Sequence, residues 1–353
     1  MKKEDLLRRV GSMQQAAGIR AVRCMEGRAG GMKAFEVKND RMSFMVLEDK
    51  CLDIGELSYK GCNMNFLSKP GLTGRAHYDT NGGEAIRSIM GGMLFTSGLR
   101  NICTPCTVQG EDFPMHGRIR TTPAEHVCSD AWWEDGVYRL RIAGEMREAA
   151  LFGENLVLRR EITTAYQEKS IHIRDVVINQ GFREEPFLIL YHFNIGWPLL
   201  SEECDLIIPS SETLARDREA MRGLSKWNTI EEPIDGEPEY VFLHEMAADE
   251  NGNTFAAVYN RELEMGLQIS FSKKALPYFM EWKSRASGDY ALGLEPANAS
   301  VYGKQYHLER GDHPSIGPQE EAVIELTLTV LDGEEDFKKV MKEKEAYCSP
   351  GER

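Results

Sequence analysis

Nowhere in the 353 residues does an uncharged apolar run approach the roughly 18 needed to cross a bilayer as a helix, so no helical membrane span is expected. The first 18 residues are charged at both ends and lack the apolar stretch of a secretory leader, which makes the cytoplasm the expected compartment. No Lys- or Arg-rich run offsets a net charge of −14, and a chain that repels polyanions on average is not expected to bind nucleic acid. The G-x-G-x-x-G dinucleotide loop, the G-x-x-x-x-G-K-[ST] phosphate loop and the H-E-x-x-H zinc helix are all missing. Nucleotide-driven and zinc-protease chemistry thereby lose their main sequence support. Low-complexity linkers, internal repeats and compositional breaks are absent too, so residues 1–353 read as one domain.

What is present is ordinary globular composition: 42% hydrophobic and 28% charged residues, which excludes collagen, coiled coil and wholesale disorder. Eight cysteines occur, but a chain long enough to bury a full core needs no staples, and free thiols are expected. Alternation with a period of two recurs at Val137–Ile142, Ile171–Ile178, Leu267–Phe271 and Ala322–Val330, with turn signals such as Glu134-Asp135-Gly136 and Asn251-Gly252-Asn253 between strands. Helical spacing is convincing only at the ends, over residues 1–18 and 333–346. No strand–helix–strand rhythm suggests a parallel sheet. The expected fold is all-β: a large antiparallel β-sandwich with short peripheral helices at both termini. The polar stretch Arg216–Pro238 is the best candidate for a long loop over one end.

The most metal-like pattern is Cys103-Thr104-Pro105-Cys106 followed by His116, His126 and Cys128. Tetrahedral zinc wants a second, regularly spaced ligand pair, and His126-Val127-Cys128 is too tight to be one. Cys103 and Cys106 are therefore expected to be buried small residues that bind no metal. Three other segments each set a titratable residue among aromatic, Gly or Pro neighbours: Asp112-Phe113-Pro114-Met115-His116-Gly117-Arg118, Leu188–Trp197 with His192-Phe193-Asn194 at its end, and Tyr290–Asn298 with Glu295-Pro296. Singly, His192 reads as a satisfied core imidazole, His116 as a loop histidine and Glu295 as a solvated strand end.

Taken together, His116-Gly117-Arg118, His192-Phe193-Asn194 and Glu295-Pro296 resemble, in order, the motifs of the galactose mutarotase-like (aldose 1-epimerase) superfamily. Gly98-Leu99-Arg100-Asn101, Leu276–Lys283 and Gly293–Asn298 look like those of a divergent, poorly characterised bacterial branch, and the likeness runs from about Gly11 to Val330. The resemblance implies a mutarotase-like supersandwich and an epimerase that interconverts sugar anomers. Glu295 would be the base and His192 the acid, with His116 orienting the ring oxygen. Arg100 and Arg118 are expected to anchor substrate, since a guanidinium holds two oxygens at once, and would favour an acid-bearing sugar. Trp197 and Trp282 offer apolar faces to a sugar ring; Asn194, Asn298 and Lys283 complete the expected binding set. Expected partners are a small-molecule sugar and no cofactor or membrane, with a homodimer left open. A non-catalytic carbohydrate-binding or regulatory protein is the alternative, and a lyase or glycosidase a weaker third. The enzyme is favoured because both histidines and the glutamate are present. A proton shuttle further requires Glu295 and His192 to lie within roughly 10 Å of each other.

Overall fold

Alternating sequence has become antiparallel sheet almost throughout the computed structural model, which describes residues 3–74 and 82–348. Five consecutive strands between Gly18 and Asn63 form one meander. An eight-stranded sheet runs in the order Cys204–Ile207, Asn253–Asn260, Met265–Ser272, Glu321–Asp332, Ser170–Asn179, Asn155–Ala165, Val137–Ala149, Glu125–Glu134. The third large sheet has six strands: β1 (Leu94–Leu99), β2 (Leu188–Ile195), β3 (Ser210–Ala215), β4 (Tyr240–Met246), β5 (Tyr278–Ser284) and β6 (Ala291–Ala297). Their spatial order is β3-β4-β5-β6-β2-β1.

One core joins these three sheets. In β2 the alternate residues Ile189, Tyr191, Phe193 and Ile195 enter it, as do Leu292 and Leu294 of β6. They meet Ile142, Ile173, Ile269 and Leu326 of the eight-stranded sheet and Phe35 and Phe44 of the meander. Because successive side chains point to opposite faces, His192, Asn194, Gly293 and Glu295 are turned away from that core. A smaller cluster of Leu188, Leu190, Met280 and Ala297 lies on their side of the sheet, covered by Ile102, Cys103, Ala299 and Val301.

A buried polar group ties the three sheets together. Arg160 of the eight-stranded sheet donates to both carboxylate oxygens of Asp175 at 2.9 and 2.7 Å and to Asp53 Oδ1, in the meander, at 2.8 Å. It also reaches Thr96 Oγ1 of β1 at 2.9 Å, while the Tyr191 hydroxyl of β2 donates to Asp175 at 2.8 Å. Arg160, Asp53 and Asp175 are wholly buried.

The terminal helices occur where expected, with adjustments. The N-terminal one is short, Lys3–Leu7, followed by a single turn at Met13–Gln15 that Ser12 caps by accepting from the Gln14 amide; residues 1 and 2 lie outside the described residues. The C-terminal helix Glu334–Cys348 rests Phe337, Val340 and Met341 on Phe255, Ala257 and Tyr259. Helix Gly303–Arg310, ended by Gly311 at φ 71°, was not expected, because its buried residues Gly303, Lys304 and His307 carry no apolar stripe. The Arg216–Pro238 stretch is irregular except for a helix at Arg218–Gly223, capped by Asp217, and the turn that follows it. No helix among the described residues is long and apolar enough to cross a membrane.

Candidate active site

Strand register brings two of the three candidate residues into contact. Leu190 pairs with Ala297 and Phe193 with Leu294, which sets His192 of β2 directly across from Glu295 of β6. His192 Nε2 lies 3.0 Å from Glu295 Oε1. On either side the row continues through Phe95, opposite His192, and Met280, opposite Glu295. Trp282, opposite Gly293, sets its ring 5.5 Å from the His192 ring.

His116 arrives from the turn that follows a short hairpin, Cys106–Val108 with Glu111–Phe113, with its ring 6.2 Å from that of His192 and 5.4 Å from that of Phe95. The Ser97 hydroxyl bridges its backbone carbonyl and its Nδ1, each at 3.2 Å. The turn is tight: His116 itself has φ 59°, and a Cβ on Gly117 (φ 68°) would stand 2.1 Å from the Gly98 carbonyl oxygen. Only glycine fits the second position of this His-Gly pair.

Gly293 is the floor of the site. A Cβ there would meet His192 Cε1 at 2.6 Å, Glu295 Oε1 at 3.0 Å and Trp282 Cβ at 3.0 Å. We therefore expect Gly293→Ala to fold but to push His192 off Glu295, lowering turnover roughly 100-fold, the usual effect of misplacing a reacting group by about 1 Å. Steady-state rates beside a melting curve check this. Wild-type turnover in the variant would show that the His192 position is not critical.

Burial sets the proton affinities. It pushes Glu295 up to about 8, helped by the charge of Glu239 and opposed by Arg216. It pulls His192 down to about 3 and His116 well below the ordinary imidazole range. Burial thus favours the neutral form of the carboxyl group and of both rings. His192 Nδ1 is buried with no partner of hydrogen-bonding geometry among the described residues.

Two residues that the sequence did not single out stand at the rim. Glu239 accepts a hydrogen bond from Trp282 Nε1 at 2.8 Å and pairs with Arg216 Nη2 at 3.1 Å. Glu239 lies in Glu237-Pro238-Glu239, at the end of the stretch that reads as a polar loop, and only its position beside Trp282 marks it.

The expected anchors are engaged elsewhere. Arg100 is buried among Glu111, Glu154 and Glu185 at 2.9, 3.0 and 3.7 Å. Arg118 pairs with Glu111 at 3.1 Å and donates to the Asp112 carbonyl at 2.7 Å, with Glu148 at 3.8 Å. A buried cation must be compensated, and an acidic chain has carboxylates to spare. The acid-bearing-sugar preference thus loses its basis. Arg118→Lys is expected to leave sugar affinity unchanged while lowering the melting temperature slightly, as isothermal titration and calorimetry will show. Asn298 is a backbone clamp: its Oδ1 accepts from the Ile189 amide at 2.7 Å and its Nδ2 donates to the Phe187 carbonyl at 2.9 Å. Asn194 Nδ2 donates to the carbonyls of Gly92 and His192 at 2.9 and 3.0 Å. Lys283, on the other face of β5 from Trp282, donates to the carbonyls of Lys226, Trp227 and Thr229 and holds the 216–238 segment. Trp197 is 68% exposed past the end of β2, outside the ring contacts that join Trp282 to His192.

Cys103 is buried and Cys106 partly so, both as free thiols. Among the described residues, three potential metal-ligand atoms come within 4.8 Å of one another at Glu125, His126 and Glu145, a surface group that includes neither cysteine.

A family described only as a domain of unknown function (DUF4432) matches residues 29–330. No curated protein sequence matches the chain. Among solved structures, a protein from Klebsiella pneumoniae provisionally named an aldose 1-epimerase superposes with a TM-score of 0.90 at 23% identity, covering 100% of this chain and 92% of its own. A galactose mutarotase-like protein from Clostridium acetobutylicum gives 0.62 at 13% identity, covering 90% and 99%. Galactose 1-epimerase from Lactobacillus acidophilus gives 0.54 at 11% identity, also covering 90% and 99%. At these identities the likeness establishes the fold: a galactose mutarotase-like sandwich.

Proposed function

The chain belongs to the DUF4432 family, and from its site we propose that it interconverts the anomers of a reducing sugar by general acid–base catalysis. The observation that carries this is the contact of Glu295 with His192 at 3.0 Å on a sheet face shared with His116 and Trp282.

Opening a pyranose requires taking the proton from the anomeric hydroxyl and giving one to the ring oxygen, which breaks the C1–O bond and leaves the aldehyde. Rotation about C1–C2 and the same two transfers in reverse close the other anomer. Glu295 as carboxylate takes the first proton and His192 as imidazolium supplies the second. After ring opening the pair is a neutral carboxylic acid and a neutral imidazole, the arrangement that burial favours in the free protein. Both arrangements hold the same number of protons, so no exchange with solvent is needed within a cycle. Burial brings the carboxyl close to working pH, where a group can act as base and as acid in turn. His116, beside His192, orients the ring oxygen, and Trp282 lies under the sugar's apolar face. The acceleration asked of such a pair, roughly 10²–10⁴-fold, suits a reaction that already proceeds in water, and no step requires a cofactor.

Two-dimensional exchange NMR across neutral aldoses, uronic acids and sugar phosphates tests the proposal. Anomeric exchange above the buffer rate with at least one sugar is expected. Sugar binding without accelerated exchange would instead identify a carbohydrate-binding protein on the same fold.

A further inference from the structure

A single hydroxyl proton decides which nitrogen of His116 is left for a substrate. Ser97 of β1 pairs with Leu190 of β2, so its side chain lies on the same sheet face as those of Phe95 and His192. Its Oγ is 3.2 Å from the His116 carbonyl oxygen and 3.2 Å from His116 Nδ1. A carbonyl oxygen can only accept, so the hydroxyl proton goes there. Oγ then meets Nδ1 with a lone pair, a contact that is favourable only when Nδ1 carries the ring proton. The opposite arrangement, with the hydroxyl turned to a bare Nδ1, would set Oγ and the carbonyl oxygen lone pair to lone pair. Ser97 is wholly buried, which makes such a mismatch costly. Burial, with the charges of His192 and Arg120, favours the neutral ring, which holds one proton. Nε2 is therefore bare, and it has no hydrogen-bond partner among the described residues.

The site also has a direction. Glu295 of β6 and Phe95 of β1 stand on opposite sides of His192. The rings of His116 and Phe95 lie 5.4 Å apart, and each is about equally far from His192, at 6.2 and 6.3 Å. His116 thus flanks His192 on the side away from Glu295. In a pyranose the ring oxygen lies between C1 and C5. With the anomeric hydroxyl at Glu295 and the ring oxygen at His192, C5 and its substituent are directed toward His116. A ring oxygen has no proton to donate, whereas a bare Nε2 needs a donor. The donor next to the ring oxygen on that side is the hydroxyl of the C5 hydroxymethyl group.

We propose that Ser97 holds His116 as the hydrogen-bond acceptor for the sugar's 6-hydroxyl, which makes a free hydroxymethyl group on C5 the requirement this site places on its substrate. His116 thereby orients the ring oxygen through the neighbouring substituent. Sugars with a methyl group or a hydrogen on C5 leave Nε2 unpaired, and a uronate or a 6-phosphate brings acceptor oxygens to a lone pair. This rests on the anomer-exchange reading of the site, and the experiment separates the two.

Two measurements on the full chain test it. The first needs no substrate: nitrogen-15 spectra of histidine-labelled protein at neutral pH, with the His116 signals assigned by their loss in His116→Gln, should show a proton on Nδ1 and a bare Nε2. Ser97→Ala should shift that proton toward Nε2, and Ser97→Thr, which keeps the hydroxyl, should not. The second is exchange NMR in two matched series: glucose with 6-deoxyglucose, xylose and glucuronate, and galactose with 6-deoxygalactose, arabinose and galacturonate. In at least one series the hexose should have a kcat/KM roughly 10–100-fold above its analogues, as expected of one hydrogen bond lost in a buried site. Ser97→Ala should narrow that gap and Ser97→Thr should keep it. A proton on Nε2 in the wild type would overturn the assignment, as would 6-deoxy sugars exchanged as fast as their parents in every series that exchanges. If no sugar is exchanged, saturation-transfer spectra decide. Binding of a hexose in preference to its 6-deoxy form, lost in Ser97→Ala, would uphold the acceptor role and remove the epimerase; no such preference would remove both.

Discussion

Glu295→Gln is expected to lower anomer exchange by roughly 10²–10⁴-fold and to make the protein progressively more stable than the wild type as pH rises from 4.5 to about 8. Both effects have one cause. The carboxyl is buried against His192 and Trp282, and its proton affinity is raised from an ordinary 4.5 to about 8. Between those values the unfolded chain releases the proton and the folded chain keeps it. The folded state then binds more protons, so stability falls as pH rises through that window. A neutral amide of the same shape has nothing to release. The variant should match the wild type below about pH 4.5 and exceed it by roughly 4–5 kcal/mol near pH 8.5, from a rise of about 3.5 pK units at about 1.4 kcal/mol each. His192 contributes a separate slope: its depressed affinity makes stability fall as pH drops from the ordinary imidazole range toward about 3. Urea melts of both proteins at pH 5 and pH 8.5, with exchange rates alongside, decide the matter. Parallel melts at the two pH values would mean that Glu295 is solvated and not poised.

The largest loss of stability is expected at Arg160, which touches no part of the site. Arg160→Met leaves Asp53 and Asp175 buried without their cation, a change worth roughly 3–5 kcal/mol. Burial already holds Asp53 up at about 6 in spite of the Arg160 charge, and without that charge its affinity for a proton rises further. The folded variant should therefore pick up a proton at Asp53, and its deficit against the wild type should be smaller at pH 5 than at pH 7.5. Chemical denaturation at the two values measures this. An equal deficit at both would place the cost in lost packing. Thr96 and Tyr191, the partners of this group in β1 and β2, are chain neighbours of Phe95 and His192. Arg160 thus fixes from behind the strands whose opposite face carries the chemistry, and any loss of activity in the variant should follow the fraction unfolded.

What the sequence determined by itself is what period and motif can carry. Alternation in Leu188–Ile195 and Ala291–Ala297 is local, and it already divides Tyr191, Phe193, Leu292 and Leu294 from His192, Gly293 and Glu295. The order of His116-Gly117, His192-Phe193-Asn194 and Glu295-Pro296 marked three residues that folding brings to one sheet face, and the Gly117 turn is as tight as the motif suggests. Register was not legible, because a strand's pattern does not name its partner, and only pairing placed Glu295 across from His192. Charge partners were not legible either. Arg100 and Arg118 look like anchors until Glu111, Glu148, Glu154 and Glu185 converge on them from three other segments. Glu239 looks like loop until Trp282, 43 positions on, donates to it. Arg160 meets Asp53 across 107 positions and Asp175 across 15. A side chain's type and its alternation are properties of the local chain, whereas which charge neutralises which depends on contacts that folding alone brings together.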